Sequence, residues 1–217
     1  MSTPIKLLQT LIMLFLILLC CCSESKPSPE EYYKFINLYR SKNEHQRVIT
    51  IIDMALNDYP DGKQHGQFLY AKGSSYEFLN DNVRAIESFK KALIFFDDSL
   101  ELYGNTLVRI VLLSLTSGDT TDVLKYIRLL ENNLSSNCNK VKSQMGYLHL
   151  YYASAYAMKN SPIDSVCFHL RECIRWKPEW FDNENIALQI IGAANNRRII
   201  QNIMNQYNLS DSIFYLK

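Results

Sequence analysis

Apolar residues recur every three or four positions along most of this chain, and short polar segments interrupt them. Two such stretches open the pattern, with apolar positions at Tyr32, Ile36 and Tyr39 and then at Val48, Ile52 and Ala55. This period is typical of amphipathic helices that bury one face. The sequence therefore predicts an all-α chain in which helices are paired across short polar turns.

The start of the first helix carries its own signals. Ser28 is a preferred N-cap residue, Pro29 suits the first helical position, and Glu31 completes a capping box. These three residues predict that the helix begins at Pro29 and that its first backbone N–H groups are capped by side chains.

The second helix pair carries the most informative spacing of small and aromatic residues, at Gly73, Tyr76, Ala85, Phe89 and Ala92. A polar turn at 80–82 lies between its two helices. This spacing resembles the tetratricopeptide repeat (TPR), a helix-turn-helix unit of about 34 residues. Small residues let neighbouring helices approach, and aromatic rings fill the space that remains. The resemblance implies a right-handed α-solenoid of four to five TPR-like pairs with an inner groove.

The rest of the chain divides around this pattern into weaker repeats and connecting segments. A polar stretch at 61–66 is predicted to be an insertion between the first two pairs, and the Asn- and Ser-rich stretch 132–140 predicts a loop. The predicted organisation is a signal segment at 1–22, a tether at 23–28, repeats one to three at 29–131, the loop at 132–140, repeat four at 141–181 and a C-terminal capping helix pair at 182–217, with its helices at 183–194 and 197–207.

The first 22 residues resemble the export signal of a bacterial lipoprotein. Lys6 is followed by an apolar run from Leu7 to Leu19, which is short for a membrane-spanning helix of about 20 residues. Counting the run from Ile5 to the end of the cysteines leaves an uncleaved, single-pass N-terminal membrane anchor as an alternative. The expected location is a bacterial cell envelope, at the outer membrane or on the periplasmic face.

Three consecutive cysteines end the apolar run. The resemblance implies that Cys22 is acylated and becomes the new N-terminus, with Cys20 or Cys21 as the alternatives. The residue before the modified cysteine is usually small in lipoproteins, and here it is Leu19 or another cysteine. A palmitoylated or simply apolar cysteine cluster is the competing interpretation. The sequence favours a lipid anchor.

Later cysteines and the overall charge limit the remaining possibilities. Cys138, Cys167 and Cys173 are an odd set, which argues against a full disulfide framework. Cys167 and Cys173 are not expected to pair, because they lie on poorly matched faces of one predicted helix. Cys138 pairs with one of them, or all three remain free thiols. The formal net charge of +1 indicates no basic face for nucleic acid.

Motifs for catalysis or cofactor binding are missing from the sequence, which contains no HExxH, no glycine-rich phosphate loop and no GxSxG. A metal site at Cys167, His169 and Cys173 is not expected, because these positions do not share one face of a helix. The four histidines lie far apart along the chain. We therefore predict no enzyme activity, no cofactor and no metal site.

The resemblance places the inner groove on the first helix of each pair. The implied partner-binding residues are Tyr33, Asn37 and Arg40 in repeat one, Tyr70, Ser74, Glu77 and Phe78 in repeat two, Asn105, Val108, Arg109 and Leu112 in repeat three, and Tyr147, Leu150 and Met158 in repeat four. Exposed aromatic and polar groups suit a docked peptide or helix. The alternative is that several of them belong to the core between repeats.

One TPR subfamily holds a carboxylate with a set of Asn and basic residues, and only Asn37 and Arg109 occupy matching positions here. That carboxylate clamp is therefore not predicted. The sequence favours a lipid-anchored scaffold or adaptor that binds a protein or peptide through its groove. A sensor module related to TPR-containing membrane transcriptional regulators is the alternative, and a hydrolase would need a polar cluster that the sequence does not contain.

Overall fold

The computed structural model describes residues 26–97, 101–119, 121–135, 141–177 and 191–209. These residues form nine α-helices and no strand. The helices are α1 (Pro29–Ser41), α2 (His45–Asp58), α3 (Gly62–Phe78), α4 (Asn82–Leu93), α5 (Glu101–Ser117), α6 (Val123–Ser135), α7 (Val141–Met158), α8 (Ile163–Trp176) and α9 (Ile191–Gln206). The predicted all-α class is confirmed.

Helices that follow one another in sequence pack against each other from α1 to α8. Fully buried side chains such as Phe68, Ile110 and Leu170 fill the spaces between them. The last helix differs, because the main contact of α9 is with α7. Sequential packing of this kind is compatible with an α-solenoid, in which each helix pair covers the apolar face of the next.

The first helix begins as the sequence predicts. The backbone N–H of Glu31 donates to the Ser28 hydroxyl at 3.2 Å, and the backbone N–H of Ser28 donates to the Glu31 carboxylate at 2.7 Å. The Tyr32 hydroxyl also donates to the Asp58 carboxylate at 2.6 Å, which ties α1 to the end of α2. The predicted capping box is confirmed.

Gly73 of α3 lies directly against Phe89 of α4. A β-carbon at Gly73 would lie 2.7 Å from the nearest carbon of the Phe89 ring, well inside van der Waals contact. Ala85, Phe89 and Ala92 are all fully buried. The predicted close approach of these two helices, with small residues facing an aromatic ring, is confirmed.

Asparagine ends the first helix of three pairs in the same way. Asn43, Asn80 and Asn160 have φ angles of 58°, 58° and 50°, in the left-handed region. In each case this residue donates its N–H to a carbonyl three residues back, and the next residue donates to one five residues back. This is the Schellman arrangement that satisfies the last carbonyls of a helix. Gly118, with φ of 76°, directly follows α5 and is also in the left-handed region.

Two of the predicted connecting segments are partly wrong. The expected insertion at 61–66 forms the first turn of α3, which begins at Gly62. Gly66 is buried in this helix, and it lies so close to Phe95 and Phe96 that a β-carbon there would collide with them. The loop predicted at 132–140 begins later than expected, because α6 continues to Ser135 and Leu134 packs against the core.

The predicted C-terminal helix pair is also corrected. A continuous helix, α9, crosses the break expected between 194 and 197. Ile200, Ile203 and Met204 are buried beside residues of α7 and α8, which anchors the second half of this helix. The first part of the predicted pair, from 182 to 190, lies outside the described residues.

The predicted signal segment at 1–22, with Cys20, Cys21 and Cys22, lies outside the described residues, as does Cys138. In the part of the chain that the structure describes, no helix has both the length and the apolar character that crossing a membrane requires. Cys167 and Cys173 are buried free thiols, so the prediction that they do not pair with each other is confirmed.

Candidate partner-binding cleft

A cleft of about 700 Å³ opens between the C-terminal halves of α1, α3 and α5. We call it the central cleft. Its lining residues are Arg40, Ser74, Glu77, Phe78, Asn80, Asn82, Arg109, Leu113 and Thr116. Most of them belong to the first helix of each of the first three pairs, while Asn80 comes from the turn after α3 and Asn82 is the first residue of α4. The cleft therefore spans three consecutive helix pairs.

Phe78 is the main exposed apolar group in the central cleft, with 68% of its surface accessible. It is the last residue of α3, and the left-handed turn at Asn80 follows at once, so no further turn of α3 covers the ring. One face of the ring stacks on the imidazole of His45, with centroids 4.5 Å apart and planes at 10°. This support holds Phe78 in place with the other face toward solvent.

His45 itself is almost fully buried at the start of α2. Its Nδ1 atom has no hydrogen-bond partner among the described residues. Burial, and to a lesser extent the nearby charge of Arg40, lowers the pKa of His45 below its ordinary value. The imidazole under Phe78 is therefore neutral at physiological pH and acts as an aromatic support.

Two guanidinium groups give the central cleft its charge. Arg40 is half-buried and donates to the backbone oxygen of Ala71 at 3.0 Å. Burial lowers its pKa, although the group stays protonated at physiological pH. Arg109 of α5 pairs with Glu77 of α3 at 2.8 Å, which links the second and third helix pairs across the cleft.

Five of the predicted groove residues line the central cleft, namely Arg40, Ser74, Glu77, Phe78 and Arg109. The other three that were predicted in repeats one and two lie elsewhere. Tyr33 stacks on Phe68 at 5.0 Å, Tyr70 packs on Phe89 at 5.4 Å, and Asn37 is exposed on α1 outside the lining. The two tyrosines thus occupy packing positions between helices, as the alternative interpretation of the sequence expected.

The remaining predicted groove positions separate into two other depressions. Asn105 and Val108 line a cavity of about 370 Å³ between α5, α6 and α7. Leu112, Leu150 and Met158 line a different one, where α9 meets α5 and α7. Tyr147 borders both. These positions therefore line neighbouring depressions rather than the central cleft.

Two histidines that are distant in sequence meet in the fourth pair. Nδ1 of His149 in α7 lies 2.9 Å from Nδ1 of His169 in α8, so one ring donates and the other accepts. Tyr152 and Tyr156 stack on the His169 ring at 4.7 and 5.4 Å. Burial, reinforced by the neighbouring His149, lowers the pKa of His169 to about 4. Helix periodicity gave no sign of this pair, because the register of α7 against α8 creates it.

The possible metal ligands of the fourth pair include Cys167 and Cys173 of α8. Cys167 and Cys173 are buried, and burial raises the pKa of both thiols, that of Cys173 to about 12. Within the described ranges, no three or more His, Cys, Asp or Glu side chains are grouped so that they could hold a metal ion. Cys173, which is fully buried, packs among apolar residues in the core of the fourth pair.

The central cleft is thus a concave surface that presents an exposed aromatic ring, two guanidinium groups and a carboxylate. Its geometry suits non-covalent binding of an extended or helical segment. Neither protein-family models nor curated protein sequences match this chain. A function must therefore be argued from the residues of the cleft itself.

Proposed function

We propose that this protein is a lipid-anchored scaffold or adaptor of a bacterial cell envelope, which binds a protein or peptide partner in the central cleft. In this proposal the described helices are part of a right-handed, TPR-like solenoid, and the acylated cysteine at 20–22 attaches it to the membrane. More than one acyl chain is needed for a stable attachment, because a single chain binds membranes only marginally.

The observation that supports binding is the grouping of residues in the cleft. Arg40, Phe78 and Arg109 come from three different helices and face one concave surface. At such surfaces a few residues contribute most of the binding free energy, and aromatic and arginine residues are enriched among them. Covering the exposed part of the Phe78 ring contributes about 1–2 kcal/mol, since 68% of its surface then leaves water.

The charges of the cleft orient the partner. The Glu77–Arg109 pair is partly exposed, so it adds little stability by itself and remains available for rearrangement on binding. Arg40 makes its described hydrogen bond to a backbone carbonyl rather than to a carboxylate. A bound segment that places polar groups along α1 and α5 and an apolar group on Phe78 gives a partner to Arg40, Arg109 and Phe78 together.

Site-specific photo-crosslinking in intact cells tests the proposal. A photoreactive phenylalanine analogue replaces Phe78 in one variant and Phe35 in a matched variant. Phe35 is a 49% exposed aromatic residue of α1 that does not line the cleft. We expect the Phe78 variant to form one defined protein adduct, and the Phe35 variant to lack it.

A second pair of variants tests whether formation of the adduct depends on the central cleft. Replacing Arg109 by Glu reverses the charge opposite Glu77 and should reduce the yield of the Phe78 adduct at least fivefold. The same change at the exposed Arg47 of α2, which does not line the cleft, should leave the yield unchanged. Equal adducts from Phe78 and Phe35, or indifference to Arg109→Glu, would contradict the proposed site.

A further inference from the structure

A second concave site, which we call the inner cavity, lies where α9 crosses toward α5 and α7. Its volume is about 460 Å³, within the range of about 300–1,000 Å³ found for small-molecule sites. The walls are mainly aliphatic and include Leu112, Leu115, Leu150, Met158, Ile199 and Ile203. An apolar cavity of roughly 150 Å³ can already hold a benzene molecule, so this one accepts a larger ligand.

The position of α9 creates the inner cavity. Gln206 Nε2 donates to the backbone oxygen of Ala157 at 3.1 Å, and the Tyr207 hydroxyl donates to that of Ser161 at 3.3 Å. The first bond joins the end of α9 to the end of α7, and the second joins the residues just beyond them. The helix thereby forms one wall of the cavity, whose other walls are α5 and α7.

The polar groups of the inner cavity argue against a peptide occupant. The Ser154 hydroxyl donates to the Leu150 carbonyl at 2.8 Å, and that of Thr116 donates to the Leu113 carbonyl at 3.0 Å. No charged residue is among the described lining residues. An extended peptide would bring backbone N–H and C=O groups into a place that offers them few partners, which is costly.

We propose that the inner cavity binds a long-chain fatty acyl group. A flexible aliphatic chain needs no hydrogen bonds, conforms to walls of Leu, Ile and Met, and leaves its polar head at the open side, where Asn202 is exposed. This assignment concerns a different surface from the central cleft and does not depend on the partner that binds there.

Fluorescence titration with cis-parinaric acid tests the proposal on the chain beginning at Ser23. That chain lacks the apolar signal segment, which would itself bind fatty acids, and it keeps every described contact, since these begin at Lys26. We expect saturable binding with one site. Saturated fatty acids should displace the probe with an affinity that rises roughly fourfold for each added CH₂ group until the cavity is full.

Two variants locate the binding. Ser154→Phe fills the cavity, and Leu112→Asp places a charge on a wall residue that is 37% exposed and so tolerates the change. Each should weaken probe binding at least tenfold. Ser74→Phe, a matched substitution in the central cleft, should leave it unchanged. Far-UV circular dichroism and thermal melting verify that all three variants fold.

Three outcomes would overturn the assignment. One is the absence of saturable probe binding by the chain from Ser23. Another is equal affinity of the parent chain and a correctly folded Leu112→Asp variant. The third is binding only by a shorter chain that ends at Leu209, because residues 210–217 of the protein itself would then be the competitor for the cavity.

Discussion

At Gly73 the ring of Phe89 occupies the space that a β-carbon would need. The same helix position would otherwise favour alanine, which is better than glycine in a helix interior by about 1 kcal/mol. The presence of glycine is therefore a packing requirement. The spacing of small and aromatic residues was sufficient to predict it, because both residues belong to neighbouring helices of one pair.

Substitution of Gly73 tests this requirement. Overpacking costs about 1–3 kcal/mol, which exceeds the gain in helix propensity. We expect Gly73→Ala to lower the free energy of unfolding by about 1 kcal/mol in urea denaturation. In the background of Phe89→Leu, which removes part of the ring, the same substitution should be neutral or stabilising. Equal losses in both backgrounds would contradict the contact.

The His149–His169 pair makes stability depend on pH. Because the folded-state pKa of His169 is about 4, below the ordinary value of 6.5, the unfolded chain binds more protons between these values. The contribution of this neutral pair to the free energy of unfolding is complete above pH 6.5 and is lost as the pH falls toward 4. Since His169 is only half-buried, we expect a loss of about 1–2 kcal/mol.

Urea denaturation at pH 7.5 and pH 5.0 measures this effect. His169→Gln keeps a hydrogen-bonding group beside His149 but cannot titrate, so its stability should change less between the two pH values than that of the parent protein. A smaller dependence should remain, because burial also lowers the pKa of His45 and of His149. An identical pH dependence in the two proteins would contradict the prediction.

At the scale of helices, the apolar period located the elements but not all of their ends. The start of α1 was predictable because Ser28, Pro29 and Glu31 cap it locally. The start of α3 was not, because Gly62 and Gly66 favour a loop in isolation. Gly66 packs closely against Phe95 and Phe96, which follow α4, and the local sequence of this stretch does not indicate that tertiary contact.

The left-handed asparagines provide a test at this scale. Alanine at Asn80 would have to adopt a φ of 58°, which is costly for a residue with an ordinary β-carbon, whereas glycine adopts it freely. We expect Asn80→Ala to lower the free energy of unfolding by about 1 kcal/mol and Asn80→Gly to leave it nearly unchanged. Equal melting temperatures of the two variants would argue against a role of the turn in ending α3.

At the scale of the whole molecule, residues of three helix pairs line the central cleft, and no described residue of the fourth pair is among its lining residues. Thr116 of α5 borders both the central cleft and the inner cavity, which places the two sites side by side. α9 packs on α7 and borders the inner cavity. The proposed partner and the proposed acyl ligand therefore have separate surfaces on one scaffold.

Local patterns in the sequence predict the helical class, the capping of α1 and the close approach of the helices that carry Gly73 and Phe89. These features depend on local period and on residues that meet within one helix pair. Packing between helices brings Arg40, Phe78 and Arg109 into one cleft, while Tyr33 and Tyr70 pack between helices. It also brings His149 against His169. Such groupings depend on how helices from different pairs, or the two helices of a pair, are rotated and shifted against each other. Side-chain packing sets that register, and the period of a single helix does not contain it.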